Sequence, residues 1–171
     1  WSFSFRIFTN KYNKAKVSLP GGCAIGTRPV DLHLFALKKL GAKIKIKDGY
    51  IIAKAKKGLK GSTIKFPSIS VGATENALLA AFNAKGKTIL KNCAIEPEIK
   101  DLISFLTKLG AKIKLSGRTI TIYQNKDKKI KANHSVMFDR IEAGTYMIAS
   151  ALAGKKITIN RIIPSIIQTE I

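Results

Sequence analysis

Apolar and polar residues recur along this chain with two different periods, and these periods predict its elements. Lysine and isoleucine alternate over 42–46, which is typical of a half-buried strand. Apolar residues from Pro29 to Leu40 recur at helical spacing. Asp48-Gly49 and Ser116-Gly117 favour two-residue hairpin turns. Ser70 and Asp139 suit the N-cap positions of two predicted helices. On the same criteria we predict strands at 14–18, 42–46, 50–55, 62–66, 88–91, 111–115, 119–123 and 156–160, and helices at 29–40, 72–83, 97–109, from Asp139 to about Leu152, and from Pro164.

The pattern repeats within the chain. The sequence Leu-Gly-Ala-Lys-Ile-Lys at 40–45 recurs at 109–114, each time after a predicted helix and before a hairpin. The repeating unit is helix–strand–strand–strand–helix–strand, about 70 residues long, and such units pack against one another to cover their apolar faces. Residues 77–82 and 146–152 are apolar nearly all round, so we predict two interior helices.

The net charge of +21 on 171 residues raises the possibility of a nucleic-acid-binding module. The lysines, however, are spread over nearly every strand, where alternation places them on a solvated face. Few aromatic residues lie among them to stack on bases. We therefore expect no nucleic-acid partner and keep the basic module as the alternative. No apolar run is long enough to span a bilayer, so we expect no membrane partner.

The two cysteines, Cys23 and Cys93, fit neither a CxxC motif nor a zinc pattern. We therefore expect no metal, no disulfide and a cytoplasmic location. We also expect no cofactor. Cys93 follows a predicted strand, and we expect it in the core.

Candidate chemistry is concentrated in residues 18–32, which contain three glycines. Pro29 suits the first position of a helix, and Arg28 directly precedes it. Free helix N–H groups and a guanidinium beside a glycine loop describe an anion site. These groups also favour the thiolate of Cys23. The alternative is a surface turn with Cys23 as a small buried apolar residue.

Four stretches, at 18–32, 70–74, 96–98 and 139–145, together resemble the bacterial UDP-N-acetylglucosamine enolpyruvyl transferases. The resemblance covers roughly residues 14–171 and implies an α/β (α+β) fold, an inside-out α/β barrel of repeated units with helices inside and sheets outside. It implies that 14–137 are the last two units of a first barrel and 138–171 the start of a second, so that the fold is incomplete. Residues 1–13 stay unassigned.

In that family a sugar hydroxyl adds to phosphoenolpyruvate, and phosphate then leaves. The resemblance implies that Cys23 is the proton donor and can form a covalent adduct, and that Arg28 contacts phosphate. It implies that the neighbouring stretch holds the uridine end of UDP-N-acetylglucosamine and that the second stretch holds the diphosphate. Ser68 stands where the family often has lysine, which weakens the expected diphosphate site. The substrate-binding residues so implied are Arg28, Pro29, Val30, Asp31, Leu32, Ser70, Val71 and Gly72.

Other interpretations of these residues stay open. Asp31 can simply favour the first helical turn, and His33 is more often a packed or solvated histidine than a ligand. Glu96 and Glu98 fit helix-start acids, with a substrate-side role as the alternative. Several family residues have no counterpart here, so we expect a partial, inactive copy. The shikimate-pathway enolpyruvyl transferase is a further alternative, which Cys23 and the 28–32 stretch count against.

Overall fold

A computed structural model describes residues 14–19, 30–124 and 131–167. The chain forms two compact units, Trp1–His134 and Ser135–Ile171. The assignment of 14–137 and 138–171 to two barrels remains a prediction.

Most predicted elements are present, with ends shifted by one or two residues. The first unit contains β1 (Lys14–Ser18), α1 (Asp31–Lys39), β2 (Lys43–Lys47), β3 (Tyr50–Lys54), β4 (Thr63–Lys65), α2 (Val71–Phe82), β5 (Thr88–Lys91), α3 (Pro97–Lys108), β6 (Lys112–Ser116) and β7 (Thr119–Tyr123). The second unit contains α4 (Arg140–Ala153) and a short 3₁₀ helix, Pro164–Ile166, where we predicted the start of a helix.

The sequence repeat is visible in the strand pairing. The first sheet has the order β1-β3-β2, with both pairs antiparallel. The second has the order β4-β5-β7-β6, and its β5-β7-β6 part repeats the same antiparallel arrangement. β4 adds to it in parallel with β5. Ile51 and Ile120 occupy corresponding positions in β3 and β7, and both are fully buried.

Turn chemistry explains the two hairpins. Asp48 and Gly49 both have positive φ, 52° and 73°, as a turn of type I′ requires. In the second hairpin Ser116 pairs with Thr119, so the turn consists of Gly117 and Arg118. We predicted Ser116 and Gly117, which was wrong by one residue. The positive φ of Gly117, 51°, marks where the chain reverses.

The core of the first unit lies around α2, which contacts both α1 and α3. Most of α2 is buried, including Ala77 and Leu78, which confirms the predicted interior helix. The sheets contribute buried residues such as Ile64, Leu90 and Ile120, while the strand lysines are exposed. The alternation of lysine with apolar residues therefore separates a solvated face from a packed one.

Two predictions about the second unit were wrong. Residues 155–160 form no strand, since no partner strand lies beside them in the described part of that unit. The predicted interior helix is α4, yet Ile148 and Leu152 are 63% and 85% exposed. An apolar helix is buried only where other elements of its unit pack against all of its sides.

Among the residues that the structure describes, none of the helices combines the length and apolar character needed to cross a membrane.

Candidate functional site

The predicted site residues fall into three groups. Cys23, Arg28 and Pro29 lie outside the described residues. Val30, Asp31 and Leu32 form the start of α1, and Ser70, Val71 and Gly72 form the start of α2. The site can therefore be built from two helix starts.

The start of α1 has no side-chain cap. Val30 precedes the helix with φ −110°, and its carbonyl accepts the first helical hydrogen bond, from Leu34 N at 3.0 Å. The first backbone N–H groups of a helix have no partner within it. The exposed carboxylate of Asp31 lies in this first turn, where it interacts favourably with the helix dipole. This position agrees with the interpretation of Asp31 as an acid that favours the first helical turn. The exposed carboxylate oxygens are also accessible to a ligand.

The start of α2 is capped by Ser70, as predicted. Its Oγ accepts a hydrogen bond from Ala73 N at 3.3 Å. The first turn of α2 contains no acidic residue, unlike that of α1. Its positive dipole end is therefore not compensated from within the helix, which suits a bound anion.

Thr74 fixes this helix start to the rest of the unit. Its hydroxyl donates to the carbonyl of Ser70 at 2.8 Å and accepts from Ala94 N at 3.1 Å. Thr74 is fully buried, so both bonds are shielded from water. From the sequence we predicted no role for Thr74 beyond its place in a matching stretch. A threonine at the fourth position of a helix with a serine cap was the signal available.

His33 brings the two predicted stretches together. Its ring Nδ1 lies 2.7 Å from Asn76 Nδ2, across 43 residues of chain. The Cε1–Nε2 edge of the ring lies against Gly72, where an added Cβ would stand 3.3 Å from ring Cε1. The interpretation of His33 as a packed histidine is confirmed to this extent, and its packing partner is the start of the second stretch. Sequence reasoning missed Asn76, for which no local pattern gave a signal.

The electrostatics of His33 favour a neutral ring. Burial lowers the pKa of its imidazole, and the nearby carboxylate of Asp31 opposes this shift. The ring is therefore a hydrogen-bond donor and acceptor rather than a cation at neutral pH.

Acidic residues lie near the start of α3. Burial raises the pKa of Glu75 on α2, and the charge of Glu98 raises it further. Glu98 lies in the first turn of α3, where an acid favours the helix dipole. Glu96 Oε2 accepts a hydrogen bond from Ile95 N at 2.7 Å, which closes the loop before α3. Both observations agree with the helix-start interpretation.

Cys93 is fully buried, which confirms its predicted place in the core. Burial raises the pKa of its thiol to about 11, against a smaller lowering by the backbone hydrogen bond from Ile120. Within 14–19, 30–124 and 131–167, no three histidine, cysteine or acidic residues are grouped so as to hold a metal ion. Cys93 is therefore a structural thiol.

Comparison with known sequences extends this description. A family model described as EPSP synthase (3-phosphoshikimate 1-carboxyvinyltransferase) matches residues 4–171. A relative from Pelagibacter ubique (strain HTCC1062), named UDP-N-acetylglucosamine 1-carboxyvinyltransferase, is 59% identical over 161 residues, covering 94% of this chain and 39% of the relative. A relative of the same name from Endomicrobium trichonymphae is 54% identical over 154 residues, covering 90% and 37%. The chain thus spans less than half the length of these relatives, and the resemblance inferred from its four stretches is confirmed.

Solved structures share the fold. The enolpyruvyl transferase NikO from Streptomyces tendae aligns with a TM-score of 0.66 and 22% identity, covering 82% of this chain and 34% of that one. EPSP synthase from Acinetobacter baumannii aligns with a TM-score of 0.67 and 20% identity, covering 88% and 34%. The predicted enolpyruvyl transferase-like fold of repeated α/β units is therefore confirmed.

Proposed function

This chain belongs to the EPSP synthase family, and we propose that its site serves enolpyruvyl transfer from phosphoenolpyruvate to the 3-hydroxyl of UDP-N-acetylglucosamine. This is the first committed step of peptidoglycan synthesis and takes place in the cytoplasm. The names of relatives at 54–59% identity support this choice of substrate over the shikimate-pathway one. The observation that carries the proposal is the 2.7 Å contact between His33 and Asn76, since it joins α1 and α2, the two helices whose first residues the resemblance assigns to the nucleotide sugar.

The chemistry requires an acid, a base and cationic groups. An acid protonates the methylene carbon of phosphoenolpyruvate, which makes the central carbon electrophilic. The sugar hydroxyl loses its proton and adds to that carbon, giving a tetrahedral ketal. The ketal then loses phosphate and a methyl proton, which restores the enol double bond on the sugar.

In this proposal Cys23 is the acid and can also bond covalently to the central carbon. Arg28 contacts the phosphate through its guanidinium fork, a geometry that lysine lacks. Both residues belong to the segment between β1 and α1. Asp31 follows this segment directly, at the start of α1. The reacting end of the site therefore lies next to its uracil-binding end in sequence.

The two helix starts divide the nucleotide sugar between them. Val30 and Leu32 offer backbone groups to the uracil edge, and the exposed Asp31 carboxylate accepts from its N–H. The start of α2, with Ser70, Val71 and Gly72, receives the diphosphate through backbone N–H groups. Ser68 adds no charge where the family often has lysine, so these N–H groups carry more of the diphosphate contact.

Titration calorimetry of the 171-residue chain tests this assignment. We expect UDP-N-acetylglucosamine to bind and 3-phosphoshikimate not to bind. Asp31→Ala should weaken nucleotide-sugar binding about tenfold, as expected for one lost hydrogen bond to a charged group. Asp48→Ala is the matched control, because Asp48 is an exposed acid in the β2–β3 turn. Equal effects of the two substitutions would contradict the proposed role of Asp31.

A nucleic-acid-binding module remains the second candidate, because lysines line the exposed face of the first sheet. Lys16 Nζ lies 4.1 Å from the ring centre of Tyr50, which is the kind of pair that can stack on a base. RNA binding that falls steeply with salt, together with no binding of the nucleotide sugar, would favour this candidate. The lysines of that face are Lys14, Lys16, Lys43, Lys45, Lys47 and Lys54.

A further inference from the structure

The side-chain amide of Asn76 contacts one ring nitrogen of His33. Its Nδ2 lies 2.7 Å from ring Nδ1. In this orientation of the amide its nitrogen donates, so Nδ1 is the accepting nitrogen, without a hydrogen. The hydrogen of the neutral ring is then on Nε2, the nitrogen on the other side of Cε1.

The Cε1–Nε2 edge of the ring faces the start of α2. A Cβ added at Gly72 would stand 3.3 Å from ring Cε1 and 3.5 Å from Nε2. No side chain separates the ring from the backbone here, because residue 72 is a glycine. Gly72 lies in the first turn, where backbone N–H groups have no partner within the helix. Nε2 therefore lies beside the first turn of α2, where those N–H groups begin the helix.

The placement of Asn76 also calls for an explanation. Asn76 is 4% exposed on a helix whose other buried residues, apart from Thr74, are apolar. A buried amide is costly unless it is hydrogen-bonded. Thr74 fixes the start of α2 through Ser70 and Ala94, and Asn76 fixes it through His33. The two buried polar side chains of α2 thus both act on the same helix start.

We propose that Asn76 is a positioning residue: it holds the His33 ring against Gly72 as the Nε2–H tautomer, so that Nε2 donates to an anion bound at the start of α2. The identity of that anion, the diphosphate of a nucleotide sugar, rests on the proposed function. The tautomer and the position of the ring do not, because they are properties of the ligand-free chain.

Nitrogen-15 NMR of the ligand-free chain at pH 8 tests the proposal directly. We expect Nε2 to carry the hydrogen in the unsubstituted chain and a nuclear Overhauser contact between His33 Hε1 and the Gly72 Hα atoms. Asn76→Ala should mix the tautomers and weaken that contact. Asn76→Asp should move the hydrogen to Nδ1 and raise the pKa of His33 by about one unit or more, because a carboxylate only accepts.

His134 serves as an internal control, because it lies against Asp101 and Phe105 and its signals should not move in either variant. Asn160→Ala, an exposed change in the second unit, is the matched control for asparagine loss. Hydrogen on Nδ1 in the unsubstituted chain would overturn the proposal, as would a tautomer that Asn76→Ala leaves unchanged in a folded chain.

Titration calorimetry with UDP-N-acetylglucosamine tests whether the position of the ring affects ligand binding. Asn76→Ala should weaken binding about tenfold, the loss expected for one misplaced donor to an anion. Unchanged affinity with a changed tautomer would overturn the positioning role. If the unsubstituted chain does not bind the nucleotide sugar while the predicted tautomer is observed, the proposed function fails and the positioning of the ring by Asn76 stands.

Discussion

The two repeats connect strand to helix in different ways. In the second repeat, β5 passes to α3 through residues 92–96, and hydrogen bonds close this short segment. Cys93 N donates to the carbonyl of Arg118, and the Arg118 guanidinium donates to the carbonyl of Cys93, both at 3.0 Å. In the first repeat, β1 passes to α1 through residues 19–30, which include Cys23 and three glycines.

The same supersecondary arrangement thus contains two kinds of thiol, one in each repeat. In both repeats the helix follows one strand and precedes the hairpin that pairs with that strand in the same antiparallel order, so the two repeats share this arrangement. The short connection places its sulfur in the core, where the thiolate is disfavoured. The long connection ends at a helix start next to the α2 cap, and there we predict a reactive sulfur. Function thus depends on the length and composition of the connection.

The largest expected effect is a difference in reactivity between the two thiols. At pH 7.5, iodoacetamide should modify Cys23 roughly 100-fold faster than Cys93 or more, since only thiolate reacts and the pKa of the Cys93 thiol is raised to about 11. Mass spectrometry of the digested chain measures both rates.

Two single variants serve as controls for that measurement. Cys93→Ala should keep the fast reaction, and Cys23→Ala should leave only the slow one. Comparable rates at both cysteines would show that the two connections do not differ in this way. In urea the difference should disappear, because unfolding exposes both thiols.

Corresponding core positions should have similar effects on stability. Ile51→Ala in β3 and Ile120→Ala in β7 should each lower the free energy of unfolding by about 2–5 kcal/mol, because each leaves a cavity in a fully buried site. Urea denaturation measures both. Ile46→Ala is the control, since Ile46 is 57% exposed and should change stability by less than about 0.5 kcal/mol. A large loss of stability at only one of the two sites would contradict the structural equivalence of the two repeats.

The cap of α2 should have a smaller effect. Ser70→Ala removes the acceptor for Ala73 N and should lower the free energy of unfolding by about 1 kcal/mol. Ser70→Asp should keep most of the stability, because aspartate also caps helices. Ser68→Ala, at an exposed position two residues earlier, should change nothing measurable. If Ser70→Ala were as neutral as Ser68→Ala, the cap would not contribute in solution.

The smallest expected effect depends on pH. The pKa of Glu75 is raised in the folded chain, so the unfolded chain loses its proton first as pH rises. Stability should therefore fall as pH rises through the ordinary carboxyl range, and Glu75→Gln should remove this loss. We expect the variant to be more stable at pH 7 by less than about 1 kcal/mol, since solvent screens a half-exposed group.

Chemical denaturation at pH 7 and pH 4 measures this difference, which should vanish at the lower pH. Glu142→Gln is the control, because Glu142 is exposed on α4 in the other unit. A variant less stable than the unsubstituted chain at pH 7 would contradict the assigned direction.

Local chemistry predicted the elements of this fold well. The Ser70 cap, the Asp139 cap, whose carboxylate accepts from Ile141 N and Glu142 N, and the Asp48-Gly49 turn all depend on residues within four positions of one another. Short-range patterns of this kind can be recognised in a sequence. The repeat could be recognised as well, because both copies contain the sequence Leu-Gly-Ala-Lys-Ile-Lys.

Contacts between distant residues could not be predicted in the same way. The pair His33 and Asn76 is 43 positions apart, and neither residue belongs to a recognisable motif. The burial of Ala94 N against Thr74 and the exposure of α4 likewise depend on which elements pack together. The predicted strand at 156–160 was wrong for the same reason, since a strand needs a partner that its own sequence does not specify.

Alkylation by fosfomycin tests the central claim most directly, because this epoxide bonds to a reactive thiolate. The account predicts a covalent adduct at Cys23, formed faster when UDP-N-acetylglucosamine is present and unaffected by 3-phosphoshikimate. An adduct that forms equally with and without the nucleotide sugar, or no adduct at Cys23, would contradict a reactive thiol beside a nucleotide-sugar site.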